Sequence, residues 1–221
     1  MIKAVVDVFA GDGVSTMPQH FVFNGQPHER PAAENAVFGH VLTDLDYGDI
    51  GGDLLGDANV EAWYNQPWSV VNGIYRIKIR TSNRVASTTI RMIPGRFEFS
   101  ECVVHAPNRK TGALILYRVA RAAMDRGFAI ITGSGEKAAN AQGQPISWGF
   151  YTSPRMGFDA DIPAATPALP PALAGCTRLS HLMASAPGRA FWRNHGVKVP
   201  YMEFDLAANS LSWQTLLNYL T

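Results

Sequence analysis

Cysteine is scarce: the 221-residue chain holds two, Cys102 and Cys176. Two thiols build neither a disulfide framework nor a four-cysteine zinc site, so a hydrophobic core must hold the fold. Charge is thin as well, at 17% of residues, and it balances, with 19 basic against 18 acidic side chains and a net charge of +1. Such a chain has no general electrostatic attraction for nucleic acid or for an anionic membrane. No apolar run reaches the ~20 residues that a membrane-spanning helix needs. The opening MIKAVVDVF carries Asp7 inside a short apolar run and lacks a small-residue cleavage site, so no secretory leader is read there. Also missing are the G-x-x-x-x-G-K-[ST] phosphate loop, the G-x-G-x-x-G fingerprint and the G-x-S-x-G nucleophile elbow. What is present is a 47% hydrophobic chain, long enough to bury a substantial core.

The stretch from Arg96 to Gly135 organises the rest. RFEFSECVV is rich in aromatic and β-branched residues, which predicts a strand. Phe97 and Phe99 alternate with Glu98 and Ser100, and on a regular strand Glu98 and Glu101 then face opposite ways. His105-Ala106-Pro107-Asn108 ends the strand, since proline donates nothing to a ladder and asparagine favours turns. From Gly112 to Arg126 apolar residues recur at helical spacing. Leu114, Leu116, Tyr117, Ala120 and Met124 form the expected packed face, and Arg118, Arg121, Asp125 and Arg126 the solvated one. Gly127 reads as a C-cap glycine, and FAIIT as the next, buried strand. Arg109, Lys110 and Gly112 stand at the helix start. Unpaired amides and the positive end of the helix dipole suit an anion such as a pyrophosphate there, and Gly112 lets the backbone approach it.

V-x-A-P-N-R-K-T-G-A-L followed by a helix, a glycine and a buried strand resembles the coenzyme A-binding core of the GNAT superfamily of N-acyltransferases. That family carries an [RQ]-x-x-G-x-[GA] loop between its central strand and the following helix. The resemblance covers Glu98–Ile131 and sets Arg109 and Gly112 in the loop, with Leu114 where the family has a small residue. It implies an α/β fold, a GNAT-like mixed, mainly antiparallel sheet with flanking helices. It also implies acetyl-CoA as acyl donor and a small-molecule or macromolecular amine as acceptor. Cofactor binding is then expected at Val103, Val104, Arg109, Lys110, Thr111, Gly112 and Ala113. Glu101, near the strand end, is expected as general base, and Tyr151 as the acid that protonates the coenzyme A sulfur. FYTSPRMGF resembles the family's Tyr–x–x–x–x–Gly–Phe ending, with a longer gap and with Pro154 expected to break any helix. GRAFWRNHGV resembles the same ending with Trp192 at the aromatic position. An indole N–H is not usefully acidic, so on that alternative the acid is Tyr201, another residue or water.

Elsewhere the pattern is plainer. IKAVVDVFA and HFVFNG read as strands, 24–33 as a proline-bearing loop and 34–45 as a short helix. TDLDYGDIGGD gathers Asp44, Asp46, Asp49 and Asp53, but a calcium loop needs Asp or Asn at Gly48 and Glu at Leu55. They are read as solvated carboxylates on a glycine-rich loop of the kind that covers sites. Trp63, Tyr64 and Trp68 read as core, or as walls of an acceptor pocket if the resemblance holds. Residues 69–81 alternate, with Arg76, Lys78 and Arg80 on one face, and 85–93 form the next strand before a turn at Pro94-Gly95. After Gly135 come a polar loop over 136–144, the connector PAATPALPPALAG and two helical pieces, from Thr177 and from Pro187. The strand KVPYMEFDL and a closing helix from Leu211 to Leu220 follow. His105 is a candidate substrate contact, whereas Cys102 and His105 make one C-x-x-H, too little for zinc.

One domain over 1–221 is expected, with 1–70 its substrate-side part and 136–190 an embellishment, in a soluble cytoplasmic protein without a membrane partner. Two rivals stand beside acyl transfer. One is an enzyme of the same fold that modifies a nucleic-acid base, using the Arg76/Lys78/Arg80 face, a less favoured partner given the balanced charge. The other is an inactive GNAT-like protein used for binding or assembly.

Overall fold

Alternation of apolar and polar residues builds most of the first half. The computed structural model describes residues 20–26, 28–53, 58–64, 75–84, 86–105, 110–139, 141–142 and 145–221. The expected strand at the N-terminus, Trp68 and Arg109 lie outside them. The chain falls into two units, 1–131 with 220–221, and 132–219. The first is α/β. Strands β1 (His20–Asn24), β2 (Asn59–Tyr64), β3 (Ile77–Ser82), β4 (Ala86–Ile93) and β5 (Arg96–Val104) lie side by side in that order. β1 runs parallel to β2, and the remaining pairs are antiparallel, so the sheet is mixed and mainly antiparallel. Pro94-Gly95 makes the β4–β5 turn, with Gly95 at φ 73°, a backbone that favours glycine.

Cross-strand register assigns the two faces. Val60, Ala62, Tyr64, Ile77, Ile79, Ile90, Met92 and Phe97 share one face and are buried. The other carries two rows running from β2 to β5, Glu61–Arg80–Thr89–Glu101 and Trp63–Lys78–Arg91–Glu98. Opposite charges sit side by side there; Arg91 pairs with Glu98 at 3.2 Å and the Lys78 ammonium lies 4.6 Å from the Trp63 ring centre.

Helices pack on the apolar face. α1 (Glu29–Phe38) begins inside the segment expected to be loop. Pro31 is tolerated there because first-turn amides have no intrahelical partner to lose. α2 (Asp44–Gly51) replaces the expected aspartate-rich loop. Its start is a reciprocal cap: Thr43 Oγ1 accepts from the Asp46 amide at 3.2 Å, and Asp46 Oδ2 accepts from the Thr43 amide at 2.7 Å. Its carboxylates are not all solvated. Asp46 pairs with Arg126, Asp49 lies 3.9 Å from Arg118, and Asp53 is buried. α2 ends on two glycines because nothing larger fits. A Cβ on Gly51 would lie 1.8 Å from Thr81 Oγ1, and one on Gly52, at φ 72°, 2.8 Å from Ile115 Cγ2.

α3 (Thr111–Asp125) buries Ala113, Ile115, Leu116, Val119, Ala120 and Ala123. The packed face is thus rotated from the expected one, and Leu114, Tyr117 and Met124 are only half-buried. The alanines and Gly52 let α2 and α3 approach closely, which a leucine-rich stripe would prevent.

β6 (Ile130–Gly135) carries the chain into the second unit, where its neighbour is β9 (Val199–Asp205). A two-stranded ribbon of β7 (Ala138–Ala139) and β8 (Pro145–Ser147) occupies part of the expected 136–144 loop. α4 (Gly149–Arg155), a 3₁₀ turn at Pro171–Leu173, α5 (Leu179–Ala184), α6 (Ala186–His195) and α7 (Leu211–Leu220) complete the chain. Phe150, Phe158, Leu179, Leu182, Trp192, Phe204 and Leu216 are buried in this unit.

Pro154 does not break α4. A proline in the last turn cannot donate to the carbonyl four residues back, that of Phe150. The Trp192 indole N–H takes that acceptor instead, at 2.7 Å. Among the described residues no helix is long and apolar enough to cross a membrane.

Candidate functional site

The candidate site is the end of β5 and the start of α3, both in the first unit. β5 is not regular. Glu101 stands opposite Thr89 and Phe99 opposite Ile90, which leaves Ser100 as an extra residue in a β-bulge. The bulge changes the parity of the strand. Glu98 faces Arg91 and Glu101 faces Thr89, two positions apart on β4, so both carboxylates share the polar face. The expectation that they point opposite ways is corrected by this one inserted residue.

The two differ in their partners. Glu98 accepts from Arg91 and from Ser100 Oγ, the latter at 2.9 Å. Glu101 is exposed and accepts from the buried Thr89 hydroxyl at 3.4 Å. Cys102 turns to the apolar face opposite Thr88. Burial, with the Glu101 charge adding to it, pushes its thiol up to about 12, which lowers the thiolate fraction of this half-buried side chain at neutral pH. Val103 is 42% exposed and Val104 37%, an apolar lip where the strand ends. His105 beyond them is exposed.

At the helix start Lys110 occupies the cap position in αR conformation, without a side-chain cap bond. Its ammonium donates to the carbonyls of Leu220 at 2.6 Å and Thr221 at 3.3 Å, so an anion at the turn must share or displace these contacts. Thr111 and Ala113 are buried. By helix geometry the amides of 111–113 have no intrahelical acceptor. Gly112 is the telling position. Among the described residues a Cβ there would meet only Val104 Cγ2, at 3.7 Å, which is ordinary contact. Packing among the described residues does not require glycine at 112, in contrast to 51 and 52.

Tyr151, the proposed acid, lies in α4 of the second unit, half-buried, with the Arg155 guanidinium 5.6 Å from its ring centre. Both segments that resemble the family's helix ending are helical here. α4 is followed by Gly157 at φ 103°, and α6 runs through Gly196 into β9. Trp192 is fully buried with its N–H occupied, and Tyr201 is half-exposed, its hydroxyl donating to Glu203 at 2.5 Å.

The chain matches no family model, no curated protein and no solved structure. The geometry is therefore the ground for a functional reading. Among the described residues no cluster of three or more His, Cys, Asp or Glu side chains could hold a metal ion.

One polar cluster was not legible in the sequence. Glu34 on α1 is fully buried. It accepts from Arg30 Nε at 2.8 Å, from the Leu42 amide at 2.9 Å and from the Tyr47 hydroxyl, which also meets the Tyr64 hydroxyl. Burial holds both phenols far above their usual range, so neither gives up a proton. Burial disfavours the Arg30 charge, but the bond to Glu34 and its charge outweigh this and hold it on. The network joins α1, α2 and β2, with Glu34 and both phenols buried and Arg30 partly exposed at its edge. Its only local signal is the Arg30/Glu34 spacing of one helical turn; the phenols lie 13 and 30 residues further on.

Proposed function

We propose that this chain is a cytoplasmic, GNAT-like N-acyltransferase that moves an acetyl group from acetyl-CoA to an amine. The observation that carries the reading is Gly112. It stands at the second position of α3, and nothing in the packing among the described residues asks for a glycine. A bare backbone at the positive end of a helix suits a pyrophosphate. The order of β5, α3 and β6 supports the same reading, as does the bulge, a feature common next to active sites.

On this reading the amides of Thr111, Gly112 and Ala113 hold the pyrophosphate, with Arg109 and Lys110 supplying charge. The exposed Val103 and Val104 receive the apolar part of the thioester arm. The reaction forms a C–N bond and breaks the C–S bond of the thioester. Glu101 takes the proton that the amine must lose, directly or through water, and the bulge aims its side chain from the strand. The departing thiolate takes a proton from water. Alternating charge across the polar sheet face gives a nucleic-acid partner no continuous basic track.

Calorimetric titration with acetyl-CoA and free coenzyme A tests the reading, with Gly112→Trp as control. Micromolar binding that the variant loses is expected, and Glu101→Gln should then cut turnover by about 10²-fold while leaving binding intact. A wild-type protein that is folded and binds neither ligand overturns the enzyme. The second reading, a scaffold without turnover, then takes its place; the commitment of Lys110 to the Leu220 and Thr221 carbonyls favours it.

A further inference from the structure

A small cavity lies between the C-terminal end of α2, the β3–β4 hairpin and α3. Gly51, Gly52, Asp53, Thr81, Thr88 and Ile115 are among the residues that line it, and its free space is that of about one water. It is polar on one side. The Asp53 carboxylate accepts from the Ala58 amide at 3.2 Å and from Asn83 Nδ2 at 3.2 Å, and Thr88 Oγ1 donates to the Gly51 carbonyl at 2.6 Å. Thr81 is the exception. It is 4% exposed, and its hydroxyl oxygen has no hydrogen-bond partner among the described residues.

A buried hydroxyl without a partner is costly, and its neighbours do not relieve it. Gly51 presents only its Cα to the oxygen, and Thr88, the cross-strand partner of Thr81, has spent its proton on the Gly51 carbonyl. A space of this size beside an orphaned hydroxyl and a carboxylate satisfies the conditions for an ordered water: room for one molecule and several polar groups within the same wall. Most of the lining is apolar, so the orphaned Thr81 hydroxyl and the Asp53 carboxylate are the groups that draw a water into it.

We propose that the cavity is a binding site for a single structural water, held by the Thr81 hydroxyl and the polar wall that Asp53 contributes. The water bridges the end of α2 to the β3–β4 hairpin, beside the Thr81 hydroxyl that fills the space a Gly51 side chain would need. The site is independent of the acyl-transfer reading. One carboxylate among neutral oxygens is too weak a ligand set for a divalent cation, which takes six or more oxygens.

The test pairs a crystal structure at better than about 1.5 Å resolution with two variants, Thr81→Val and Thr81→Ser. The wild type should show one density peak within hydrogen-bond distance of Thr81 Oγ1. Thr81→Val, which keeps the shape and removes the hydroxyl, should lose the peak and lower Tm by about 2–4 °C. Thr81→Ser, which retains the hydroxyl, should keep the peak. An empty cavity, together with a Thr81→Val protein as stable as wild type or more so, overturns the proposal, because removing a dry orphan relieves the fold. A peak with more than four oxygen neighbours, and a Tm that rises with added sodium or potassium, overturns it in favour of a cation.

Discussion

Replacing Gly112 by alanine separates packing from ligand approach. A glycine inside a helix costs about 0.5–1 kcal/mol relative to alanine, mainly through the freedom it has in the unfolded chain. That gain is realised only where the new methyl has room. At 112 the methyl would sit 3.7 Å from Val104 Cγ2, and the backbone is not left-handed, so Gly112→Ala should raise Tm by about 1–4 °C. The same change at Gly52 should do the reverse. Its φ of 72° disfavours a side chain, and the methyl would press on Ile115 and Val119 at 2.8 and 2.9 Å. If Gly112 serves pyrophosphate approach, the variant that gains stability must lose affinity. A methyl between backbone and phosphate should weaken coenzyme A binding tenfold or more, about 1.4 kcal/mol. Thermal melts and calorimetry on one preparation read both quantities. A Gly112→Ala protein with raised Tm and unchanged affinity refutes the pyrophosphate assignment without appeal to misfolding.

Other outcomes follow from particular contacts. Trp192→Phe should cost about 1–3 kcal/mol in urea melts by stranding the Phe150 carbonyl. Pro154→Ala in that background should restore part of the loss, because the new amide donates to the same carbonyl; strictly additive effects would contradict the account. Burial disfavours the Asp46 charge, but the bonds from the Thr43 hydroxyl and amide and the pairing with Arg126 outweigh it, so its pKa is lowered on folding. Its contribution is therefore present above the unfolded pKa and lost as pH falls through the folded one. Asp46→Asn should destabilise by about 1 kcal/mol at pH 7, with the gap closing in acid; a gap independent of pH would show that charge plays no part. With its thiol pushed up to about 12, Cys102 should react with iodoacetamide at pH 8 roughly 10³-fold more slowly in the native than in the unfolded chain. Equal rates would mean that the strand does not bury it.

Much of the layout was readable residue by residue. The β5 strand, the α3 helix, β6, β9 and the closing helix α7 stand where alternation, helical spacing and turn residues put them. The helix start with Gly112 was equally legible, because an anion-suited turn is a local pattern of glycine, cations and a capless first turn. The α2 start was legible too, in Thr43-x-x-Asp46, but glycines and aspartates suggested a loop. There burial of Tyr47 and Ile50 against the sheet outweighed the weak local propensity.

By itself, then, the sequence determined the elements with a strong local pattern, β5, α3, β6, β9 and α7, and marked the helix start at which an anion site is proposed, since both depend on neighbours within a few residues. Only the tertiary structure decided the rest. One extra residue at Ser100 put Glu98 and Glu101 on the same face, because parity depends on how β4 pairs. Pro154 stays helical because a tryptophan 38 positions later supplies the missing donor. Glu34 is buried because two distant phenols and Arg30 close around it. Each rests on a group brought back by the fold from far along the chain, and periodicity carries no record of such partners.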